Sequence, residues 1–252
     1  MNNFKDTAIL VTGSTRGIGL ATAKMLCAAG AQVGIHGRTL DKVQAICEKL
    51  SWAELKPIPI SGDFAQPECA ASSVKSFAEQ AGHIDGLVNN AGAGTAAAFR
   101  SMTIEKWRHT FACNLEAAVI ASREAYAIMR SQSNKRSVRG IVNVASIAAH
   151  GPGKWMSADY AASKAGLVSL TKTLAFEAAR FGIRVNAVSP GFADTDMTAV
   201  LTEDMRASIN IPMGRFADVN EIASVILFLL SDKSAYVTGQ VLHVDGGLQM
   251  QA

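Results

Sequence analysis

Cysteine is scarce in this 252-residue sequence, and it is not arranged for bonding. Cys27, Cys47, Cys69 and Cys113 stand 20, 22 and 44 residues apart. Without a C-x-x-C pair, that spacing suggests neither a zinc site nor a disulfide framework. Free thiols fit a reducing compartment. Charge is also sparse. Charged residues make up 18%, with 24 Lys+Arg against 21 Asp+Glu for a net +3, and the lack of a basic block argues against nucleic acid as the main partner. The apolar runs are short. Val225 to Leu230 is only six residues, where a membrane span needs about 20. The opening Met-Asn-Asn-Phe-Lys-Asp is followed by an apolar run, Ala8 to Val11, that is too brief for a signal peptide. These absences lead us to expect a soluble, cytoplasmic protein with no metal and no membrane.

What is present is a core. Hydrophobic residues at 49% exclude a disordered chain. A chain of this size should bury about 70% of its surface, exposing about 11,000 Å² against about 38,000 Å² unfolded. Short apolar, β-rich runs occur at Thr7–Val11, Gln32–His36, Lys56–Ser61, Gly86–Asn89, Gly140–Ala145, Arg184–Val188 and Gln240–Val244. Between them lie helical periods such as Ile18, Ala21, Met25, Leu26 and Ala29. Asp218-Val219-Asn220-Glu221 reads as a capping box opening a helix to Leu230. Strand–helix alternation predicts right-handed βαβ units around a parallel sheet. No linker or repeat divides the chain, so one α/β domain is expected over residues 1–252.

The first strand runs into Thr12-Gly13-Ser14-Thr15-Arg16-Gly17-Ile18-Gly19 and then a helix. Glycines allow a tight turn and close backbone approach to a pyrophosphate, and the helix N-terminus offers it N–H groups. The spacing, G-x-x-x-G-x-G, differs from the usual G-x-G-x-x-G. Close helix–strand packing is the competing explanation. The second strand ends at His36-Gly37-Arg38, with no Asp or Glu between residues 31 and 40. An acidic residue there would hold a ribose diol, whereas arginine accommodates a 2′-phosphate. Arg38 and Arg16 together therefore favour NADP(H) over NAD(H). Asp63 either accepts from an adenine amino group or caps the next helix.

Tyr160-Ala161-Ala162-Ser163-Lys164 puts a phenol and an ammonium on one helix face. Reduction of a ketone needs a proton donor, and free tyrosine has a pKa near 10. A charge about 5 Å away at an effective dielectric of about 20 would favour phenolate by about 3 kcal/mol, or about two pKa units. Ser146, at the end of the fifth strand, is placed to donate to the carbonyl oxygen as charge develops there.

With these residues in view, the sequence resembles the short-chain dehydrogenase/reductase family over nearly its whole length. The likeness is carried by the Thr12–Gly19 loop, Asn89-Asn90-Ala91-Gly92, Asn114, Ser146, Tyr160/Lys164, Ser189-Pro190-Gly191 and the tail from Val237 to Gly247. The resemblance implies a doubly wound Rossmann fold with a seven-stranded parallel sheet and a homotetramer built on helices around residues 103–130 and 158–180. It implies a catalytic set of Asn114, Ser146, Tyr160 and Lys164, with Asn114 holding a water in a proton relay and Lys164 also on the nicotinamide ribose. Gly13, Ser14, Arg16, Gly17, Ile18, Gly19, Asn90, Ala91 and Gly92 would line the cofactor, with Asn90 by the adenosine ribose. Pro190, Gly191 and Thr195 would meet the carboxamide.

Within the family the chain is similar to bacterial 3-oxoacyl-acyl-carrier-protein reductases, through Gly191–Thr198, Ile211–Phe216 and the tail. It departs from them at His150, Trp155 and Met156, which are bulkier than expected, and at Arg180-Phe181-Gly182. Trp155 and Met156 are candidates for the substrate-pocket wall with Ser146 and Tyr160; the alternative is a loop or subunit contact. Lys135, Arg136 and Arg139 form either an anionic docking patch or a solvated loop. A helix from Ala193 to Asn210 would be a lid over substrate. A carbonyl reductase acting on an acyl-carrier-bound or other small ketone is the expected function. A dinucleotide sensor usually lacks part of the tetrad, and a nucleotide-sugar epimerase needs a longer C-terminal domain.

Overall fold

The computed structural model describes residues 4–94, 96–132, 139–152 and 156–249. In chain order the elements are β1 (Ala8–Val11), α1 (Gly17–Ala28), β2 (Gln32–Gly37), α2 (Leu40–Lys49), β3 (Ile58–Ser61), α3 (Cys69–Ala81) and β4 (Gly86–Asn89). There follow α4 (Ile104–Phe111), a π-helical turn (Ala112–Glu116), α5 (Ala117–Ser131), β5 (Gly140–Val144), α6 (Ala158–Ala178) and β6 (Arg184–Pro190). The chain closes with α7 (Glu203–Ala207), α8 (Val219–Leu230) and β7 (Val241–Val244). Each expected strand is found, with ends moved by at most two residues.

The seven strands are parallel in the order β3-β2-β1-β4-β5-β6-β7. Because β1 is paired with both β2 and β4, the winding reverses there. The C-terminal ends of β1 and β4 then flank the crevice where ligands bind in such sheets. Strands β1, β4, β5 and β6 are buried throughout, as a parallel sheet covered on both faces requires. One core joins Ile9, Val33, Val88 and Val188 to α1 and α8 through Leu26, Ile222 and Leu230. The other joins Leu10, Leu87 and Ile141 to α3, α5 and α6 through Phe77, Met129 and Ala175. The chain exposes 12306 Å², somewhat above the surface expected of a monomer of its mass.

Three expectations meet different outcomes here. The capping box of α8 forms: Asp218 accepts from Asn220 N at 2.7 Å, and Glu221 accepts from Asp218 N at 2.9 Å. The lid helix over 193–210 does not; only Glu203–Ala207 is α-helical. Upstream, the Thr198 hydroxyl donates to Ala193 O at 2.5 Å and accepts from Thr195 N at 3.1 Å. Such side-chain bonds compete with helical pairing. Lys135 and Arg136 lie outside the described residues, but Arg139 is 3% exposed and donates to Met129 O at 2.7 Å. It ties down a carbonyl near the end of α5 and belongs neither to a docking patch nor to a solvated loop.

Candidate active site

The glycine turn sits between β1 and α1. Gly13 has φ +62° and Gly17 has φ +55°, left-handed values that suit glycine. A Cβ on Gly13 would come within 2.8 Å of Ala91 Cα, and one on Gly19 would land on the Asn90 amide nitrogen. The turn is therefore close-packed against the β4 loop. It also leaves α1 uncapped: Arg16 at the N-cap makes no side-chain cap bond, and uncapped first-turn N–H groups of this kind are donors suited to an anion.

Struts hold this turn in place. Thr12 Oγ1 donates to Val88 O at 3.1 Å and accepts from Asn90 N and Ala91 N at 3.0 Å each. Asn90 Nδ2 donates to Thr12 O and Gly13 O, both at 3.0 Å. Ser14, expected to contact cofactor, is a strut too. Fully buried, it donates from its hydroxyl to Val11 O at 2.7 Å, accepts from His36 N at 2.9 Å, and sends its own N–H to His36 O at 2.9 Å. Both of its hydrogen-bonding groups face β1 and β2 rather than the crevice. Sequence reasoning missed His36. Its Nδ1 accepts from Gly13 N at 3.1 Å, its ring lies 4.2 Å from that of Phe64, and burial lowers its pKa to about 4, keeping it a neutral acceptor. Its place at a strand end two residues before Arg38 was the available signal.

Arg38 is exposed at the end of β2, and Asp63 is exposed beyond β3. Both act electrostatically on the Cys113 thiol, whose pKa is raised mainly by burial. Asp63 Oδ1 accepts from Ala65 N at 3.1 Å, whereas α3 starts at Cys69 after Glu68. The capping alternative for Asp63 is thereby removed.

The catalytic candidates converge at the ends of β4 and β5. The π-helical turn between α4 and α5, a form frequent at functional sites, carries the buried Asn114. Its Oδ1 accepts from Ala93 N at 2.7 Å, and its Nδ2 donates to Ala93 O at 2.9 Å and Ser163 Oγ at 3.0 Å. That amide locks α6 to the β4 loop. Lys164 Nζ donates to Val144 O at 2.7 Å and lies 5.8 Å from the Tyr160 ring centroid. A Cβ on Gly92 would lie 3.1 Å from Asn114 Oδ1 and 3.5 Å from Lys164 Nζ, and one on Gly94 would collide with the Tyr160 ring and approach Met156 Cε at 2.8 Å. Met156 thus lies at the Tyr160 side of the site; Trp155 is outside the described residues. Ser146 opens the turn after β5, accepting from Ala148 N at 3.2 Å.

The electrostatics differ from the sequence expectation. Burial pushes the Tyr160 phenol above its usual value, with only a hydrogen bond to Ser146 pulling it down. Burial lowers Lys164 to about 8. Removing both groups from water penalises both charged forms, and the ammonium is turned toward Val144 O. The phenol in this structure is consequently a neutral donor, not an incipient phenolate.

At the end of β6, Gly191 N donates to Val244 O at 3.0 Å. A Cβ there would sit 2.8 Å from Asp245 Cα, which fixes the Pro190-Gly191 turn at the sheet edge. Thr195 follows, its Cγ2 3.6 Å from where a Gly17 side chain would begin. The segment after β6 therefore crosses the opening of α1. Two further residues escaped the sequence reading: Asp159 Oδ2 accepts from Thr110 Oγ1 at 2.6 Å, tying α6 to α4 beside Tyr160. Among the described residues no cluster of His, Cys, Asp and Glu is arranged to hold a metal, and no helix is long and apolar enough to cross a membrane.

A doubly wound sheet with a glycine turn at its switch point, a serine after β5, an asparagine in the π-helical turn and a Tyr/Lys pair on α6 defines a class, the dinucleotide-fold oxidoreductases. Comparison with known proteins makes this specific. A family model described as Enoyl-(Acyl carrier protein) reductase matches residues 13–249. The chain is 39% identical to the 3-oxoacyl-[acyl-carrier-protein] reductase FabG of Escherichia coli K12, over 98% of this chain and 99% of that protein. It is 38% identical to the Aquifex aeolicus protein of the same name, over 95% and 96%. A short-chain type dehydrogenase/reductase from Mycobacterium marinum superposes with TM-score 0.92 at 30% identity, over 99% and 98% of the two chains. A Beutenbergia cavernae structure assigned as an NAD(P)-dependent gluconate 5-dehydrogenase, with NADP at low occupancy, gives 0.90 at 36% identity over 98% of each. The chain belongs to the short-chain dehydrogenase/reductase family of oxidoreductases.

Proposed function

We propose that the protein is an NADP(H)-dependent carbonyl reductase acting on a 3-oxoacyl thioester. The observation that carries this reading is the buried Tyr160 phenol, hydrogen-bonded to Ser146 and with Lys164 Nζ 5.8 Å from its ring centroid. The family model's description names a C=C reduction, while the relatives' name refers to a ketone. Two hydroxyls arranged to serve one oxygen suit the ketone, because the charge left by hydride delivery lands on that oxygen.

The chain's own groups fit the cofactor. The glycine turn has open N–H donors, Arg16 and Arg38 suit a 2′-phosphate, and no carboxylate at the end of β2 opposes one. Asn90 has committed its Nδ2 to the turn, leaving Oδ1 for the adenosine ribose. Gly17, Ile18 and Gly19 would face the pyrophosphate, Ala91 and Gly92 the ribose side, Asp63 the adenine, and Pro190, Gly191 and Thr195 the carboxamide. Bound NADPH would supply the hydride. Ser146 Oγ then donates to the substrate oxygen and holds it beside Tyr160. The phenol, kept neutral by burial, gives its proton to that oxygen as it turns into an alcohol. Lys164, a cation at neutral pH, lowers the cost of the phenolate left behind. Because the Asn114 side chain is committed to Ala93 and Ser163, its part is to position the β4 loop and α6, and any water beside Lys164 would rest on its main chain.

Tyr160→Phe should lower turnover by at least about 10²-fold while NADPH still quenches protein fluorescence; near-normal turnover would end the acid assignment. Arg38→Ala should raise KM for NADPH far more than for NADH. A panel of 3-oxoacyl thioesters against sugar acids separates the proposed substrate from a second reading, a sugar-acid ketone, which the 36% identical gluconate dehydrogenase structure favours. Carrier-protein attachment of the acyl group is part of the proposal, as is a cytoplasmic location, in keeping with four free thiols. Phe176 at 88% exposure and Tyr236, fully exposed, together with the large monomer surface, support a homotetramer, testable by sedimentation.

A further inference from the structure

Arg16 lies inside the glycine turn, yet its charge is already partnered. Its Nη1 meets Asp196 Oδ2 at 3.0 Å, with side chains 72% and 69% exposed. Asp196 belongs to the segment after β6, 180 residues away in sequence. That segment is braced from behind by one residue. Arg206 Nη1 donates to Asp194 Oδ1 at 2.8 Å, Nη2 donates to Thr198 O at 3.3 Å, and the guanidinium lies 4.5 Å from the Phe216 ring centroid. Residues 194–207 thus form a cross-braced piece, and the Arg16–Asp196 pair is a charged tether from it to the turn that would receive phosphate.

We propose that Asp196 is a specificity-determining residue for phosphorylated dinucleotides: its carboxylate is a tethered rival for Arg16 that a 2′-phosphate must displace, so phosphate binding frees the segment from the turn. This rests on the reading of Arg16 and Arg38 as the 2′-phosphate site. The rivalry follows from charge. A phosphate monoester carries nearly two negative charges at neutral pH and a carboxylate carries one, so the phosphate takes the guanidinium. The carboxylate left nearby still repels it. A dinucleotide without that phosphate leaves the pair intact. Asp196 thereby lowers affinity for the phosphorylated form and links its arrival to the chain that covers the substrate side.

The test uses the full-length protein with 2′,5′-ADP and 5′-AMP as probes, measured by calorimetry. An exposed pair of this kind is worth little in water, so Asp196→Asn should bind 2′,5′-ADP about two- to fivefold more tightly, with 5′-AMP unchanged. The gain should shrink at about 0.5 M salt, where exposed charges are screened. Amide hydrogen exchange over residues 194–207 should quicken in the unsubstituted protein with 2′,5′-ADP and not with 5′-AMP. In Asp196→Asn it should be fast without nucleotide. Unchanged or weaker 2′,5′-ADP binding in the variant, or exchange indifferent to the 2′-phosphate, would overturn the proposal alone. No preference for 2′,5′-ADP in the unsubstituted protein, and none lost in Arg38→Ala, would overturn both this proposal and the cofactor reading beneath it.

Discussion

Lys164→Met should make the protein inactive and, at neutral pH, more stable. The ammonium is 4% exposed, and burial drops its pKa from 10.5 to about 8. Each factor of ten in proton affinity is worth about 1.4 kcal/mol, so holding Lys164 charged in the folded state costs about 3 kcal/mol below pH 8. The folded state binds fewer protons than the unfolded chain between pH 8 and 10.5, so the unsubstituted protein gains stability as pH rises through that window. Methionine has a similar length and no charge, but it forfeits the 2.7 Å bond to Val144 O, worth about 1 kcal/mol. The net at pH 7 is about 2 kcal/mol in favour of the variant, or a Tm higher by roughly 4–8 °C. At pH above 10.5 the cost vanishes for the unsubstituted protein, and the variant should be the less stable by about 1 kcal/mol. Urea denaturation followed by tryptophan fluorescence at both pH values reads this reversal. A stability difference that is independent of pH would refute the buried-cation reasoning, whatever the variant does to turnover.

Reduction at saturating substrate should fall as pH rises above about 8, because Lys164 then loses the charge that eases phenolate formation; a flat profile to pH 10 would contradict its role. Gly19→Ala should weaken dinucleotide binding by 10-fold or more, since its Cβ would land on the Asn90 amide and the Gly13 carbonyl that shape the turn; titration calorimetry checks it. Arg184→Met should cost about 2–4 kcal/mol of stability. The guanidinium is 7% exposed and donates to Leu229 O, Leu230 O and Ser231 O as well as Ser234 Oγ at the end of α8. A Tm within 2 °C of the parent would show those carbonyls to be otherwise satisfied.

Several features were readable because they are local. Strand runs, the α8 capping box and the glycine turn each depend on neighbours within a few residues, and the structure contains all three. The lid failed as a helix for an equally local reason, the Thr198 hydroxyl that bonds the backbone of Ala193 and Thr195, which periodicity does not register. Other features depend on partners far off in sequence. His36 reaches Gly13 across 23 residues, Asp159 meets Thr110 across 49, and Arg16 meets Asp196 across 180. No spacing rule announces such pairs. Ser14 shows the converse: its place in the motif suggested a ligand contact, and its hydroxyl is bonded to the backbone of Val11 and His36 in the sheet.

The sequence by itself determined the order of strands and helices and the one-domain parallel sheet, and it singled out Ser146, Tyr160 and Lys164 as candidates, because those are written in short-range pattern and residue type; Asn114 came only from the family resemblance. Burial decided the rest. Only once the chain had closed around Tyr160 and Lys164 was it settled that the phenol would hold its proton and the ammonium would give its own up more easily. Loss of water around a charge depends on everything packed against it, and that depends on the whole fold.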